Sequence, residues 1–248
     1  MNLDILVICA HPDDAELGCG GTIMKAIDAG YKVGIIDLTE GEMGTRGTAE
    51  TRKSEAEEAA NIMGIHLREN LGFSDGLFDN DHNHRIEVIK KIRKHTPSLI
   101  ITNAPDDRHP DHGRAAQMVK HAAWISGLKK LQTVDEDGEF QVAHRPEHVY
   151  HIIQYKLLTP SVVVNIDGYM DRKMKAILAY KTQFFNSNNP DEATTLISKP
   201  EFLNMVKSRM YSDGNLGLVD YGEAFITDFV PVVDNIMQLI PKHKILTL

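Results

Sequence analysis

The chain has 248 residues, of which 42% are hydrophobic, with a formal net charge of −8 and only two cysteines. This length and composition suffice for one α/β domain with its own core, so we expect a single domain over residues 1–248. The negative charge argues against nucleic acid or an anionic membrane as a partner, because both are bound through clustered Lys and Arg. Cys9 and Cys19 form no disulfide-like series, and the N-terminal apolar run is too short for a signal peptide, so we expect a cytoplasmic protein.

Short β-branched runs alternate along the chain with segments of helical spacing. The runs predict strands at 4–10, 33–38, 98–103, 148–155 and 161–166, with a short third strand near 65–71. The predicted helices are 18–29, 50–64, 84–95, 112–127, 168–184 and about 200–210, and an apolar stretch at 224–233 follows them. This β-α order predicts a doubly wound α/β fold, in which helices cover both faces of a mostly parallel sheet.

Two segments depart from this alternation. Residues 132–147 are polar and predict an insertion or an exposed hairpin rather than a domain boundary. Residues 168–248 form a C-terminal extension of helices and a strand, interrupted by a loop at 186–191 that is rich in Asn, Ser and Pro.

Two acid and imidazole clusters follow predicted strands. His11-Pro12-Asp13-Asp14-Ala15-Glu16 follows the first strand, and His109-Pro110-Asp111-His112 follows the run at 98–103. In a sheet of order 3-2-1-4-5 these two strands are neighbours, and ligands bind at their carboxyl ends. One such cluster is ordinary turn material, but two in equivalent positions favour a metal site. Imidazole and carboxylate ligands suit zinc, and three protein ligands with an open position suit a catalytic site.

The glycines of Gly18-Cys19-Gly20-Gly21 offer a competing interpretation, a dinucleotide-binding turn with Asp37 as the ribose acceptor. The fingerprint requires its first glycine directly after the strand, whereas residues 11–17 intervene here, and it requires a glycine where Ile23 stands. A nucleotide-binding oxidoreductase is therefore only a remote alternative. We expect instead that these glycines let the first helix start close beneath the metal loop.

Several motifs together resemble the LmbE-like, or PIG-L-type, N-acetylglucosamine deacetylase family. They are Ala10-His11-Pro12-Asp13-Asp14-Ala15-Glu16, Gly20-Gly21-Thr22 and Arg108-His109-Pro110-Asp111-His112. Further matches are Asp37-Leu38-Thr39, Gly47-Thr48 with Arg52, Tyr180-Lys181-Thr182-Gln183-Phe184 and Tyr221-Gly222-Glu223-Ala224-Phe225. Within the family, the chain resembles the branch that deacetylates N-acetylglucosaminyl-malate in bacillithiol biosynthesis. Deacetylation of another N-acetyl sugar, such as a chitooligosaccharide, is the alternative.

The resemblance implies a Rossmann-like zinc enzyme with His11, Asp14 and His112 as metal ligands and Asp13 as the base. Ferrous iron would also suit these ligands. The chemistry of amide hydrolysis is consistent with these roles, because zinc activates water and polarises a carbonyl while a carboxylate accepts the proton.

Further roles follow from the same chemistry. His109 is expected to stabilise the oxyanion or to protonate the sugar nitrogen. Asp111 is expected to fix the tautomer of His109 or to orient a ligand, with capping of the next helix as the structural alternative.

The anionic part of the substrate calls for guanidinium groups, and Arg52, Arg108 and Arg46 are the candidates. Phe202 stands where some relatives supply a tyrosine near the carbonyl oxygen, so a hydroxyl contribution is not expected from that position. The remaining histidines are interpreted as structural or solvated. Members of the family often assemble, and the oligomeric state is left open.

Overall fold

Seven strands form one sheet in the computed structural model, which describes residues 1–184 and 193–240. The strands are β1 (Ile5–Cys9), β2 (Val33–Thr39), β3 (Leu67–Phe73), β4 (Leu99–Thr102), β5 (His148–Ile152), β6 (Val162–Asn165) and β7 (Gly222–Thr227). The helices are α1 (Asp14–Asp28), α2 (Ala49–Met63), α3 (His82–His95), α4 (Pro110–Ile125), α5 (Met170–Leu178) and α6 (Pro200–Leu216), followed by a short 3₁₀ helix at Ile236–Leu239.

The sheet has the order β3-β2-β1-β4-β5-β7-β6, which confirms the predicted 3-2-1-4-5 arrangement and the doubly wound class. All pairings from β3 to β5 are parallel. The other edge differs from the prediction of a further parallel strand at 161–166. There, β7 lies between β5 and β6 and is antiparallel to both, because the chain returns through α5 and α6 before adding it.

The parallel strands are covered on both faces, and their alternating side chains enter different hydrophobic clusters. Leu6 and Ile8 pack with residues of α3 and α4, whereas Val7 and Cys9 pack with residues of α1. All seven residues of β2 are buried. Continuous apolar runs are the pattern expected of strands buried on both faces.

Helix α1 begins at Asp14, four residues earlier than predicted, and is kinked at Cys19 (φ −146°, ψ 18°). The glycines therefore lie inside the helix, whereas the predicted range 18–29 placed them at its start. A Cβ atom at Gly18 would overlap Ile152 Cδ1, and one at Gly21 would lie 2.8 Å from Ile166 Cγ2. Gly18 and Gly21 therefore allow α1 to pack closely against Ile152 of β5 and against Ile166, which follows β6.

A buried ion pair between Lys173 and Glu223 lies at the kink in α1. Glu223 of β7 accepts hydrogen bonds from the backbone N–H groups of Gly21 (2.8 Å) and Thr22 (2.6 Å). Lys173 of α5 lies 2.5 Å from this carboxylate and donates to the carbonyl oxygen of Leu17 at 2.8 Å. Both charged side chains are fully buried. They satisfy polar backbone groups at the kink, where the regular helical geometry is interrupted.

The C-terminal elements differ in extent from the predicted ones. The helix expected at 168–184 is shorter and ends at Leu178, and the strand within the apolar stretch at 224–233 is β7. The loop predicted at 186–191 lies outside the described residues. In the polar insertion, Val134 and Phe140 form an isolated antiparallel bridge. Within the described ranges, no helix is long and apolar enough to cross a membrane.

Candidate metal centre

The two acid and imidazole clusters meet at the carboxyl ends of β1 and β4, which are hydrogen-bonded neighbours. Asp14 lies at the start of α1 and His112 in the first turn of α4. One Asp14 oxygen is 3.5 Å from His11 Nδ1, and the other is 3.2 Å from His112 Nε2. The structure therefore brings the three predicted ligands together around one point.

A carboxylate orients each of these two imidazoles. Asp107 accepts a hydrogen bond of 2.6 Å from His112 Nδ1, which leaves His112 Nε2 facing Asp14. Asp75 accepts a hydrogen bond of 3.0 Å from His11 Nε2, which leaves His11 Nδ1 facing Asp14. Metal-bound histidines commonly have such a partner on the second ring nitrogen.

Sequence reasoning missed both orienting carboxylates, although signals for them exist. Asp107 directly precedes the Arg108-His109 motif, and Asp75 lies two residues beyond the end of β3.

Side-chain amides hold Asp14 in place. Its Oδ1 accepts from Gln154 Nε2 at 2.7 Å, and its Oδ2 accepts from Asn103 Nδ2 at 3.0 Å. Asp14 Oδ2 also accepts from the backbone N–H of His11 at 3.0 Å. These bonds fix the positions of both carboxylate oxygens, as a preorganised metal site requires.

The electrostatics of the cluster favour a cation. Burial lowers the pKa of His112, but the charge of Asp14 and the hydrogen bond to Asp107 outweigh it and raise that pKa to about 9. Burial would raise the pKa of Asp14, yet His112 and His11 hold it well below its usual value. A carboxylate and two imidazoles form a donor set suited to zinc or ferrous iron, so the residues fit the implied metal.

Among the described residues, two groups have ligand atoms within 4.8 Å of one another: His11, His109 and His112, and His11, Asp75 and Asp111. Neither group contains Asp14. We favour Asp14 as the third ligand because its two oxygens face both His11 and His112. Asp75 instead contacts the opposite nitrogen of His11.

Asp13 has an unusual backbone conformation for a residue other than glycine, with φ 117°. Arg52 donates to the carbonyl oxygen of Pro12 and lies 3.4 Å from the Asp13 carboxylate. Burial raises the pKa of Asp13, and although Arg52 opposes this effect, the result is a pKa of about 7. A buried carboxyl group with a pKa near neutrality is suited to accept a proton during catalysis.

His109 is the N-cap of α4, and its Nδ1 accepts the backbone N–H of Asp111 at 3.3 Å. The proton of the neutral ring is thus on Nε2. Burial and the nearby His11 and His112 lower the pKa of His109, so the neutral form is favoured.

Asp111 does not cap α4, which begins at Pro110 and is capped by His109. Its buried carboxylate accepts from the Gly76 backbone N–H at 2.8 Å and from Arg114 at 2.6 Å. It also lies 3.4 Å from His11 Nε2. Of the roles considered for Asp111, its carboxylate contacts support orienting a ligand, whereas its backbone N–H fixes the tautomer of His109.

A cavity of about 450 Å³ opens beside the cluster, and His11, Asp13, Asp14, His109 and His112 line one end of it. Side chains of α6, including Phe202, line another wall. The Phe202 ring stacks on Phe184 with a centroid distance of 5.8 Å. The phenylalanine thus supplies an apolar wall and no hydroxyl group.

The three candidate arginines occupy different positions. Arg108 is exposed in the cavity, 5.1 Å above the ring of Tyr155. Arg52 also lines the cavity, but it is buried and directed at Pro12 and Asp13. Arg46 is buried and does not line the described cavity; its backbone carbonyl accepts from Gln183 Nε2 at 2.7 Å. A role in holding an anionic substrate stays a prediction for all three, and the geometry favours Arg108.

A carboxyl group with a near-neutral pKa, placed beside an oriented carboxylate and imidazole cluster in a cavity, is the arrangement of a hydrolytic enzyme. Comparisons with known proteins narrow this class to N-deacetylases. The chain belongs to the PIG-L family, whose model, described as GlcNAc-PI de-N-acetylase, matches residues 6–123.

Two curated relatives and one solved structure show the similarity over most of the chain. A "Diacetylchitobiose deacetylase" of Thermococcus kodakarensis is 30% identical over 190 residues, which cover 73% of this chain and 70% of the relative. A "Probable N-acetyl-alpha-D-glucosaminyl L-malate deacetylase 2" of Bacillus cereus is 32% identical over 202 residues, covering 74% and 84%. The conserved protein TT1542 of Thermus thermophilus is 33% identical with a TM-score of 0.83, covering 98% and 99%.

Proposed function

We propose that the protein removes the acetyl group of an N-acetylglucosaminide by metal-dependent hydrolysis, releasing acetate and a free amine. N-acetylglucosaminyl-malate, as an intermediate of bacillithiol biosynthesis, is the foremost substrate. The observation that carries the proposal is the convergence of His11, Asp14 and His112 beside Asp13 at one end of the cavity. The name of the Bacillus cereus relative supports the choice of substrate.

His11, Asp14 and His112 would hold the metal through His11 Nδ1, the Asp14 carboxylate and His112 Nε2. When bound there, zinc or ferrous iron would polarise the acetyl carbonyl and lower the pKa of water. The remaining steps depend on protein groups that lie around the same end of the cavity.

Asp13 accepts a proton from the attacking water while the new C–O bond forms at the acetyl carbon. The C–N bond then breaks, and the sugar nitrogen must gain a proton to leave as an amine. Asp13, which holds the proton taken from water, returns it to that nitrogen. The Nδ1 of neutral His109 is occupied by the Asp111 backbone N–H and its one proton is on Nε2, so His109 acts as a hydrogen-bond donor rather than as the acid. Its Nε2–H can donate to the carbonyl oxygen as negative charge develops there.

Arg52 keeps Asp13 in its unusual backbone conformation through contacts with both Pro12 and Asp13. The base is thereby held at a fixed position relative to Asp14, its neighbour in the chain. A proton acceptor must lie within hydrogen-bond reach of the proton that it takes, so its placement matters as well as its pKa.

A neutral disaccharide is the second candidate substrate. The Thermococcus relative carries diacetylchitobiose in its name, and the ring of Tyr155 lines the cavity, where it can stack on a sugar. A nucleotide cofactor is disfavoured, because Gly18 and Gly21 lie inside α1 and pack against Ile152 and Ile166.

The test is acetate release by zinc-loaded protein from N-acetylglucosaminyl-malate, diacetylchitobiose and N-acetylglucosamine. We expect the malate conjugate to react fastest. Asp13→Asn should retain zinc and lose about 10²- to 10⁴-fold in turnover, the usual contribution of a general base. His112→Ala should lose zinc as well.

Two results would contradict the proposal. Acetate release from none of the three sugars would refute the proposed reaction. Equal loss of zinc in Asp13→Asn and His112→Ala would refute the division between base and ligand.

A further inference from the structure

One face of α6 forms a wall of the cavity. The residues on this face recur at helical spacing of three and four: Phe202, Met205, Val206, Arg209 and Met210. Four of them are apolar, and Arg209 is the charged member. In a chain with a net charge of −8, a guanidinium group in an otherwise apolar stripe requires an explanation.

Arg209 has few partners of its own. Its Nη2 donates to the backbone carbonyl of Tyr155 at 3.0 Å. Among the residues that the structure describes, no carboxylate lies within 4 Å of its guanidinium group, although its charge acts on Asp213, one helical turn later, and opposes the rise that burial causes in the pKa of Asp213. Within the described part of the chain, most of its five N–H donors therefore have no acceptor.

A second guanidinium group approaches Tyr155 from another element. Arg108, in the segment between β4 and α4, lies over the Tyr155 ring at 5.1 Å. Like Arg209, it makes no ion pair with the described residues and lines the cavity. Two cations from separate elements thus flank Tyr155.

Tyr155 is connected to the metal centre by hydrogen bonds. Its backbone N–H donates to Asp107 Oδ1 at 3.2 Å, and Asp107 Oδ2 accepts from His112 Nδ1 at 2.6 Å. The preceding residue, Gln154, donates to Asp14 at 2.7 Å. Tyr155, which both arginines contact, is therefore held at a fixed position relative to the proposed metal ligands.

We propose that Arg108 and Arg209 form an anion subsite around Tyr155 that binds a carboxylate on the aglycone of the substrate. The inference rests on the proposed function and extends it by assigning Arg209 as a specificity-determining residue. Guanidinium groups bind carboxylates through paired N–H donors and bind phosphates similarly, so the substrates tested must separate the two anions.

The experiment compares Arg209→Gln, Arg108→Gln and Arg209→Lys with the unaltered protein. The control is Lys207→Gln, which removes an exposed positive charge from the same helix without altering the cavity lining. Each protein is assayed with N-acetylglucosaminyl-malate, N-acetylglucosamine 1-phosphate and neutral diacetylchitobiose. Thermal unfolding of every variant checks that the fold is retained.

We expect the ratio of kcat/KM for the malate conjugate to that for diacetylchitobiose to fall about 10- to 100-fold in each Gln variant, mainly through KM. Arg209→Lys should recover part of the ratio, and Lys207→Gln should leave it unchanged. An unchanged ratio in Arg209→Gln would overturn the subsite. A change only with N-acetylglucosamine 1-phosphate would overturn the carboxylate assignment.

Calorimetric binding of the deacetylated product, glucosaminyl-malate, separates this inference from the proposed reaction. If the unaltered protein releases no acetate from any sugar, the proposed function fails. Weaker product binding by Arg209→Gln would still support the subsite, whereas equal binding by both proteins would refute it.

Discussion

The carboxylate of Asp107 accepts a hydrogen bond of 2.6 Å from Nδ1 of His112. This bond fixes the tautomer that directs Nε2 towards Asp14. We expect Asp107→Ala to weaken zinc binding about 10- to 100-fold, the usual effect of removing such a partner. Competition with a chromogenic chelator measures the affinity.

Asp106→Ala is the matched control for this prediction. Asp106 is the preceding residue, and its carboxylate pairs with Lys156 at 2.6 Å on the surface. Asp106→Ala should bind zinc with the affinity of the unaltered protein. Unchanged zinc affinity in Asp107→Ala would show that the hydrogen bond from His112 to Asp107 does not strengthen metal binding by His112.

Replacing Arg52 should slow catalysis more than it weakens substrate binding. Its guanidinium group contacts the Pro12 carbonyl and the Asp13 carboxylate, so Arg52→Gln releases the strained base. We expect kcat to fall about 100-fold with little change in KM, since a small displacement of a catalytic group has that effect. Steady-state kinetics on the malate conjugate measures both constants.

Lys53→Gln removes an exposed charge from the neighbouring position of α2 and should leave both constants unchanged. A large increase in KM for Arg52→Gln, with kcat retained, would instead support the carboxylate-binding role predicted from the sequence.

The buried pair of Lys173 and Glu223 should be costly to break. Glu223→Gln leaves a fully buried ammonium group without its counter-charge, and we expect a loss of about 3–5 kcal/mol in the free energy of unfolding. Urea denaturation measures the change. The double variant Lys173→Met with Glu223→Gln should lose less than the sum of the single variants.

The surface pair of Lys181 and Glu58 provides the comparison, since both side chains are about half exposed. Lys181→Met should leave the urea midpoint unchanged. If Glu223→Gln behaved in the same way, the pair would not stabilise the kink in α1.

Glu69 should contribute to stability in a pH-dependent manner. The His95 imidazole and the Lys91 ammonium group hold its pKa at about 2, below the ordinary value for a glutamate. A lowered folded-state pKa stabilises the protein above the unfolded-state pKa of about 4.3, and this contribution disappears as the pH falls towards 2.

Glu69→Gln should therefore cost about 1 kcal/mol at pH 7 after solvent screening is taken into account. The difference from the unaltered protein should close between pH 4.5 and 2, as followed by urea denaturation at each pH. Glu87→Gln, in the exposed pair with Lys90, should show a smaller difference. If the difference in unfolding free energy between Glu69→Gln and the unaltered protein stayed constant down to pH 2, the lowered pKa of Glu69 would be contradicted.

The sequence predicted the part of the fold that local pattern determines. Apolar runs identified β1 and β4, and the rule for doubly wound sheets then placed His11 and Asp14 opposite His109 and His112. The structure brings these residues together as expected. Their roles as ligands and catalysts stay predictions.

Contacts between distant segments were not predictable in the same way. The positions of Asp75 and Asp107, near a strand end and beside a motif, could have marked them as candidates, but local sequence does not distinguish an orienting carboxylate from a turn residue. Arg209 is 100 residues from His109 in the chain, and only the packing of α6 places it in the cavity. The position of β7 depends on a return through two helices, which hydrophobic periodicity does not encode.

Strand β7 is the last strand in sequence, yet it lies between β5 and β6. During synthesis on the ribosome, β6 has no neighbour to pair with until residues 222–227 have emerged. The kink in α1 also waits for Glu223, although α1 itself is made near the beginning. Because these contacts join distant parts of the chain, the sheet and the kink can form only late in synthesis and as one cooperative unit. Assembly of the active site should therefore follow completion of the chain rather than accompany its elongation.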